Sequence, residues 1–122
     1  MGNRILLIED EPNIIEAVRF ILSQEGYVVD THSDGATALQ EIQRRNPDVV
    51  ILDVMLPNQS GYDVLRDLRM SETDHETPVI MLTARGQKKD REQAALYGAN
   101  RFMTKPFSNS EVLSTVRELA QE

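Results

Sequence analysis

The stretch VVILDVMLP, residues 49–57, runs through four apolar residues into a single aspartate, Asp53, and turns at Pro57. A short, wholly apolar run of this kind is typical of a strand buried on both faces of a parallel sheet. Asp53 then lies at the carboxyl end of the strand, where open α/β sheets have their reactive crevice. A carboxylate is costly in a protein core unless something pairs with it. Asp53 therefore either meets solvent at the strand end or is held there for chemistry.

The rest of the chain alternates between strands and helices. Further strands are predicted at residues 5–8, 27–31, 78–83 and 101–104. Helices are predicted at 12–25, 35–45, 60–69, 87–97 and from 108 onward. The fourth helix has only a thin apolar face, formed by Ala94, Ala95 and Leu96. Because five successive βα units require a parallel sheet with right-handed crossovers, we predict a doubly wound α/β fold with five strands and five helices.

Composition and charge narrow the class of protein. The 122 residues, without any cysteine, are enough for one domain, residues 1–122, that needs no disulfide support. No apolar run is long enough to span a bilayer and the N-terminus lacks a signal-peptide pattern, so we expect a cytoplasmic protein without a membrane partner. The net charge of −7 argues against direct binding of nucleic acid by this domain.

Polar residues follow four of the predicted strands, at the edge where all parallel strands end. Glu9 and Asp10 follow the first strand, Asp53 ends the third, Thr83 ends the fourth, and Lys105 follows the fifth. Each has an ordinary structural interpretation: an acidic group beside a helix N-terminus, a helix cap, or a solvated lysine. Those interpretations do not explain why groups of complementary character end all four strands.

Three carboxylates in one crevice would repel one another. Two unit charges about 4 Å apart interact with about 4 kcal/mol at an effective dielectric constant near 20. Either some of these groups stay protonated or a cation lies among them. Hard oxygen ligands, with no histidine or cysteine at the strand ends, are the usual arrangement for Mg²⁺ in a crevice that also holds phosphate. Lys105 would then be a point charge for phosphate oxygens.

These strand-end residues resemble the receiver domain of two-component response regulators, and the resemblance covers essentially the whole chain. The matching pieces are the acidic pair at 9–10, LDVMLP at 52–57, Gly61, TA at 83–84 and KPF at 105–107. All five occur in order and on the expected strand ends, which makes the match highly specific. The resemblance implies a flavodoxin-like sheet with the strand order 2-1-3-4-5.

The resemblance also implies a reaction. Asp53 would accept a phosphoryl group from the phosphohistidine of a sensor histidine kinase or of a histidine phosphotransfer protein. Asp10, Asp53 and the backbone carbonyl of Met55 would bind Mg²⁺, and Glu9 would assist from outside the ligand set. The protein would be a phosphoacceptor signalling domain that promotes its own phosphorylation and dephosphorylation, and not an enzyme.

The remaining strand-end groups would bind the phosphoryl oxygens. Lys105 and the Thr83 hydroxyl would contact them as catalytic groups, together with the Ala84 N–H. Water would approach the phosphorus between the side chains of Met55 and Arg85. Since neither side chain can orient a water, we expect a long-lived phosphorylated state.

The resemblance further implies an output surface made by helix 87–97, strand five and the last helix, where a downstream protein or output domain would bind. When Thr83 turns toward the phosphoryl group, Phe102 would fill the vacated space, and we expect its ring to be biased inward beforehand. We also expect a cis peptide bond before Pro106. Asn100-Arg101 and Thr115 stand where dimerising receivers carry acidic residues and an arginine, which argues against that dimer.

Three other classes of protein share parts of this pattern. A flavin-binding electron carrier would need a loop rich in Ser, Thr and Gly after the first strand, whereas this chain has EDEP at 9–12. A Mg-dependent aspartyl-phosphate phosphatase of the haloacid dehalogenase type would need an acidic residue at Met55. A receiver-like docking module that is never phosphorylated would not need the complete set of acidic, hydroxyl and lysine positions.

Overall fold

The computed structural model describes residues 2–84 and 86–120, and its strands form one sheet. The strands are β1 (Arg4–Ile8), β2 (Val28–His32), β3 (Val49–Asp53), β4 (Val79–Thr83) and β5 (Arg101–Thr104). Every neighbouring pair is parallel, and the order is β2-β1-β3-β4-β5. The predicted doubly wound sheet and its strand order are confirmed.

The α-helices of the described residues follow the strands as predicted. They are α1 (Pro12–Ser23), α2 (Ala38–Arg45), α3 (Gly61–Arg69), α4 (Lys88–Tyr97) and α5 (Asn109–Ala120). Several boundaries differ by one or two residues: β2 lies one residue later than expected, and α1 ends at Ser23 instead of residue 25. The second helix begins as a 3₁₀ turn at Gly35–Thr37. The Asp34 side chain favours this turn because its Oδ1 accepts a hydrogen bond from the Ala36 N–H at 2.9 Å.

Side chains of alternate strand residues pack into two separate cores, because successive side chains of a strand point to opposite faces. Leu7 and Ile51 pack with α1 and α5, whereas Leu6 and Leu52 pack with α2, α3 and α4. These four side chains are fully buried. The apolar run that predicted β3 is therefore explained by helices on both of its faces.

The apolar face predicted for the fourth helix is only partly correct. Ala94 is buried, but Ala95 is exposed and Leu96 is 85% exposed. The second buried residue of α4 is Asp90, in its first turn. The helix therefore packs through a small residue and a carboxylate, which a search for apolar periodicity does not detect.

Gly61 allows α3 to begin directly against the end of β3. A Cβ atom at this position would lie 2.2 Å from the carbonyl oxygen of Asp53, which is far inside van der Waals contact. The Gly61 N–H donates a hydrogen bond to the Val54 carbonyl at 2.8 Å, and the Ser60 hydroxyl caps the helix by accepting from the Asp63 N–H at 3.3 Å. These contacts fix the loop that leaves Asp53.

Candidate functional site

Glu9 lies just after β1 and is fully buried. Its Oε2 accepts hydrogen bonds from the N–H groups of Asp10 and Glu11, both at 3.1 Å, so the side chain holds the loop that follows the strand. Within the described chain, its Oε1 accepts no aligned hydrogen bond, although the Lys105 Nζ lies 3.1 Å away at ion-pair distance. Glu9 therefore leaves one buried oxygen that a cation could satisfy.

Asp53 ends β3 with a carboxylate that is 2% exposed. Its Oδ1 accepts a long hydrogen bond from the Met55 N–H at 3.4 Å. Burial, and then the negative charge of Glu9, raise the pKa of Asp53 to about 7, against the attraction of Lys105. Of the two interpretations that the sequence left open for Asp53, the structure supports a carboxylate held inside the crevice.

Lys105 enters this crevice from the loop after β5 and contacts three carboxylates. Its Nζ lies 2.9 Å from Glu11 Oε1, 3.1 Å from Glu9 Oε1 and 3.5 Å from Asp53 Oδ1. Burial acts to lower the pKa of Lys105, but the hydrogen bond to Glu11 and the charges of Asp53 and Glu9 outweigh it and raise the pKa to about 12. The sequence predicted Lys105 at this place and missed Glu11, whose only signal was a third acidic residue after β1.

The carboxylates of Glu9, Asp10 and Asp53 form a cluster that fits a divalent cation. One oxygen of each lies within 4.8 Å of the other two, and two of the three groups are buried. At Asp53, burial and the negative charge of Glu9 together outweigh the attraction of the Lys105 ammonium and raise the pKa of the carboxyl. An all-oxygen donor set is the one that Mg²⁺ prefers.

The other predicted site residues line the same edge of the sheet. Thr83 ends β4 and is 4% exposed, and its carbonyl accepts a hydrogen bond from the Lys105 N–H at 2.8 Å. A groove next to it is lined by Thr83, Ala84 and the 74% exposed Met55. The structure thus brings every predicted site residue to the carboxyl edge of the sheet.

The remaining predictions about this region concern the Lys105-Pro106 peptide bond, the ring of Phe102 and the side chain of Arg85, and only the first of them is confirmed. The peptide bond between Lys105 and Pro106 is cis, as predicted. Phe102 is half-buried against the core under α2, α3 and α4, with the Arg91 guanidinium carbon 5.1 Å from its ring centroid, and its inward bias stays a prediction. Arg85, predicted to flank the path of water, lies outside the described residues.

Among the described residues, no helix combines the length and apolar character needed to cross a membrane.

Comparison with known proteins identifies the family. The family model for the response regulator receiver domain matches residues 5–117. The chain is 40% identical to the transcriptional regulatory protein TrcR of Mycobacterium tuberculosis, over 95% of this chain and 44% of that protein. It is 38% identical to the phosphate regulon transcriptional regulatory protein PhoB of Escherichia coli, over 96% and 51%. The chain therefore spans about half the length of the curated relatives it matches.

A solved structure agrees with this family. The receiver domain of the sensor histidine kinase PA1611 from Pseudomonas aeruginosa has a TM-score of 0.90 and 31% identity, with all of both chains covered. Its crystal structure has a magnesium ion coordinated in the active site cleft. The chain belongs to the response regulator receiver family, a class of two-component signalling domains that work with histidine kinases. Nothing in these comparisons supports the flavin carrier, the phosphatase or the unphosphorylated docking module.

Proposed function

We propose that residues 1–122 form a receiver that accepts a phosphoryl group on Asp53 from the phosphohistidine of a sensor histidine kinase or a histidine phosphotransfer protein. The observation that carries this proposal is the buried Asp53 carboxylate, 3.5 Å from the Lys105 ammonium and within the acidic cluster. An Asp53 oxygen bonds to phosphorus, the P–N bond to the donor breaks, and the departing imidazole takes up a proton. The acyl phosphate serves as a signal, so the domain is a phosphoacceptor that promotes its own phosphorylation and dephosphorylation, and not an enzyme.

Asp10, Asp53 and the Met55 carbonyl would hold Mg²⁺, with Glu9 assisting through its buried Oε1. The bound cation would neutralise charge on the phosphoryl oxygens. Two observations support this assignment: the unsatisfied carboxylate charge of the cluster, and the magnesium in the cleft of the PA1611 receiver. The assignment requires that phosphorylation stops when the metal is chelated.

Lys105, Thr83 and Ala84 would receive the phosphoryl oxygens. With a pKa of about 12, Lys105 stays an ammonium at neutral pH and can exchange its contact with Glu11 for one with a phosphoryl oxygen. The Thr83 hydroxyl and the Ala84 N–H would bind the other oxygens. These groups donate hydrogen bonds or carry positive charge, which suits a transition state dominated by negative charge.

The signal would leave through α4, β5 and α5, with Phe102 moving inward as Thr83 turns to the phosphoryl group. The curated relatives are transcriptional regulators about twice as long as this chain, so an output domain or a separate downstream protein is the proposed partner. The domain itself, at a net charge of −7, would not bind nucleic acid, and family membership suggests the cytoplasm as its location. Backbone chemical shifts with and without beryllofluoride test the switch, which fails if only the crevice responds and Phe102 does not.

Intact-protein mass spectrometry tests the phosphoacceptor. With a small phosphodonor and Mg²⁺, the mass should rise by one phosphoryl group, and a chelator should prevent the rise. The Asp53→Asn variant should stay unmodified, whereas Asp74→Asn, an equivalent change in the loop before β4, should react like the wild type. A phosphoryl group that persists in Asp53→Asn, on Asp10 or on a serine, contradicts the assignment.

A further inference from the structure

The groove already described beside Thr83, Ala84 and Met55 extends to residues of α3 and α4. Its volume is about 490 Å³. Its lining includes the apolar and aromatic side chains of Val54, the exposed Met55 and Tyr62, and it also includes Asp90 and Gln93 of α4. The mechanism proposed above uses neither Asp90, Gln93 nor Tyr62.

Asp90 is the unusual member of this lining. It is 8% exposed, and its Oδ2 is buried and accepts no hydrogen bond. Among the described residues, no basic nitrogen lies within ion-pair distance of its carboxylate, although Lys88, Lys89 and Arg91 are its neighbours on α4. Since a buried carboxylate without a partner is unfavourable, a ligand that donates to it gains affinity. The positive end of the α4 helix dipole offsets only part of this cost.

The surroundings of Asp90 favour a planar cation. The ring of Tyr62 lies 5.3 Å from that of Tyr97, and the pKa of Tyr62 is raised by burial and then by the charges of Asp90 and Tyr97. Aromatic faces and an unpaired carboxylate together suit a guanidinium, which stacks on rings and donates two parallel hydrogen bonds. The apolar stem of an arginine would pack along Met55 and Tyr62.

We propose that this groove docks an arginine side chain of a partner protein, with the guanidinium on Asp90 and the stem against Tyr62 and Met55. A protein partner is favoured because the groove is open at the exposed Met55 and the chain carries a net charge of −7, which attracts a basic surface. The shared lining at Thr83 and Ala84 brings the docked side chain next to the phosphorylation site.

Nuclear magnetic resonance titration of the unphosphorylated protein tests the inference, so its outcome does not depend on whether Asp53 accepts a phosphoryl group. The probes are acetyl-Gly-Arg-Gly-amide, the same peptide with glutamine in place of arginine, and propylguanidinium. The arginine peptide should shift the amides of Tyr62, Asp90 and Gln93 and bind about tenfold more tightly than the glutamine peptide.

Variants on α4 decide whether Asp90 is responsible. Asp90→Asn should weaken the arginine peptide about tenfold, and Glu92→Gln, the same charge change on an exposed neighbour, should leave its affinity unchanged. Gln93→Arg, which places a guanidinium one helical turn from Asp90, should weaken binding by a similar factor because it occupies the groove.

Three results of the titrations with the arginine peptide would overturn the inference. They are an absence of binding, an equal loss in Asp90→Asn and Glu92→Gln, which would indicate diffuse attraction to an acidic protein, and unchanged binding by Gln93→Arg. Tighter binding of propylguanidinium than of the peptide would assign the groove to a free small cation and would equally refute docking of a protein.

Discussion

At the residue scale, Lys105 is the group on which the site depends. It is shared among three carboxylates, and the shortest of the three contacts, 2.9 Å, is made with Glu11, which is exposed and is not part of the acidic metal cluster. An incoming phosphoryl group would compete with Glu11 for the ammonium. We therefore expect Glu11 to oppose phosphorylation modestly, because an exposed ion pair contributes only about 0.2–1 kcal/mol.

Replacing Glu11 with glutamine tests this competition. Glu11→Gln should speed phosphorylation by a small phosphodonor about two- to fivefold, since the ion pair that must be exchanged is weakened. The measurement is the rate of mass increase at saturating Mg²⁺. Glu16→Gln, the same charge change at an exposed position within α1, should have no such effect, and an equal acceleration by both would point to net charge instead.

A second prediction at the residue scale is that Met55 sets the lifetime of the phosphorylated state. Its exposed side chain has no group that can orient a water. Met55→Asn introduces an amide and should speed hydrolysis about three- to tenfold, or about 1 kcal/mol of barrier. The decay of phosphorylated protein measures this. Met70→Asn, at an equally exposed methionine after α3, should decay like the wild type; an unchanged rate in Met55→Asn would show that water access is set elsewhere.

At the scale of elements, Arg69 connects the end of α3 to the start of the next strands. Its guanidinium donates to the carbonyls of His75, Thr77 and Gly98 and to the Asn100 side chain, at 2.7 to 3.1 Å. The same Asn100 oxygen accepts from the Val79 N–H at 2.8 Å, so one side chain ties β4 to the residue before β5. Burial lowers the pKa of Arg69 without an opposing carboxylate.

Removing this guanidinium should loosen the loop before β4. Arg69→Ala should lower the free energy of unfolding by about 2–3 kcal/mol, because three loop carbonyls and the Asn100 side chain lose a charged donor. Arg66→Ala removes only exposed ion pairs on the same helix and should cost about 0.5 kcal/mol. Urea unfolding of both variants measures the difference, and similar losses would contradict this role of Arg69.

The elements that sequence reasoning located correctly are those whose pattern is local. The run before Asp53 is apolar because both faces of β3 are covered. A pattern with that cause can be recognised from the sequence alone. The contact between Lys105 and Glu11 could not be predicted in this way. The two residues are 94 positions apart in the sequence and come together only because their loops lie side by side in the fold. Asp90 was missed for a related reason: it is only 8% exposed in the folded chain, but it belongs to no apolar repeat of the sequence.

At the scale of the whole molecule, the acidic cluster makes an unfavourable electrostatic contribution to the free energy of folding. The folded-state pKa of Asp53 is raised above its ordinary value, so at neutral pH the ionised carboxylate opposes folding. Folding therefore favours any cation that can enter the crevice, and metal binding should stabilise the entire domain.

Urea unfolding with and without Mg²⁺ tests this coupling. Asp53→Asn should raise the free energy of unfolding of the metal-free protein by on the order of 2 kcal/mol, because it removes a buried like charge. Added Mg²⁺ at about ten times its dissociation constant should stabilise the wild type by about 1.4 kcal/mol and the variant much less. Asp74→Asn should respond to Mg²⁺ like the wild type. A variant that is less stable than the wild type without metal would contradict the proposed cost.

The division of the hydrophobic interior by the sheet has a consequence for engineering. Ile51 and Leu52 are adjacent in the chain, yet one belongs to the layer of α1 and α5 and the other to that of α2, α3 and α4. Side chains without shared neighbours perturb stability additively. The side chains of either layer could therefore be redesigned while those of the opposite layer are left unchanged. The backbone of the strands separates the two sets of side chains.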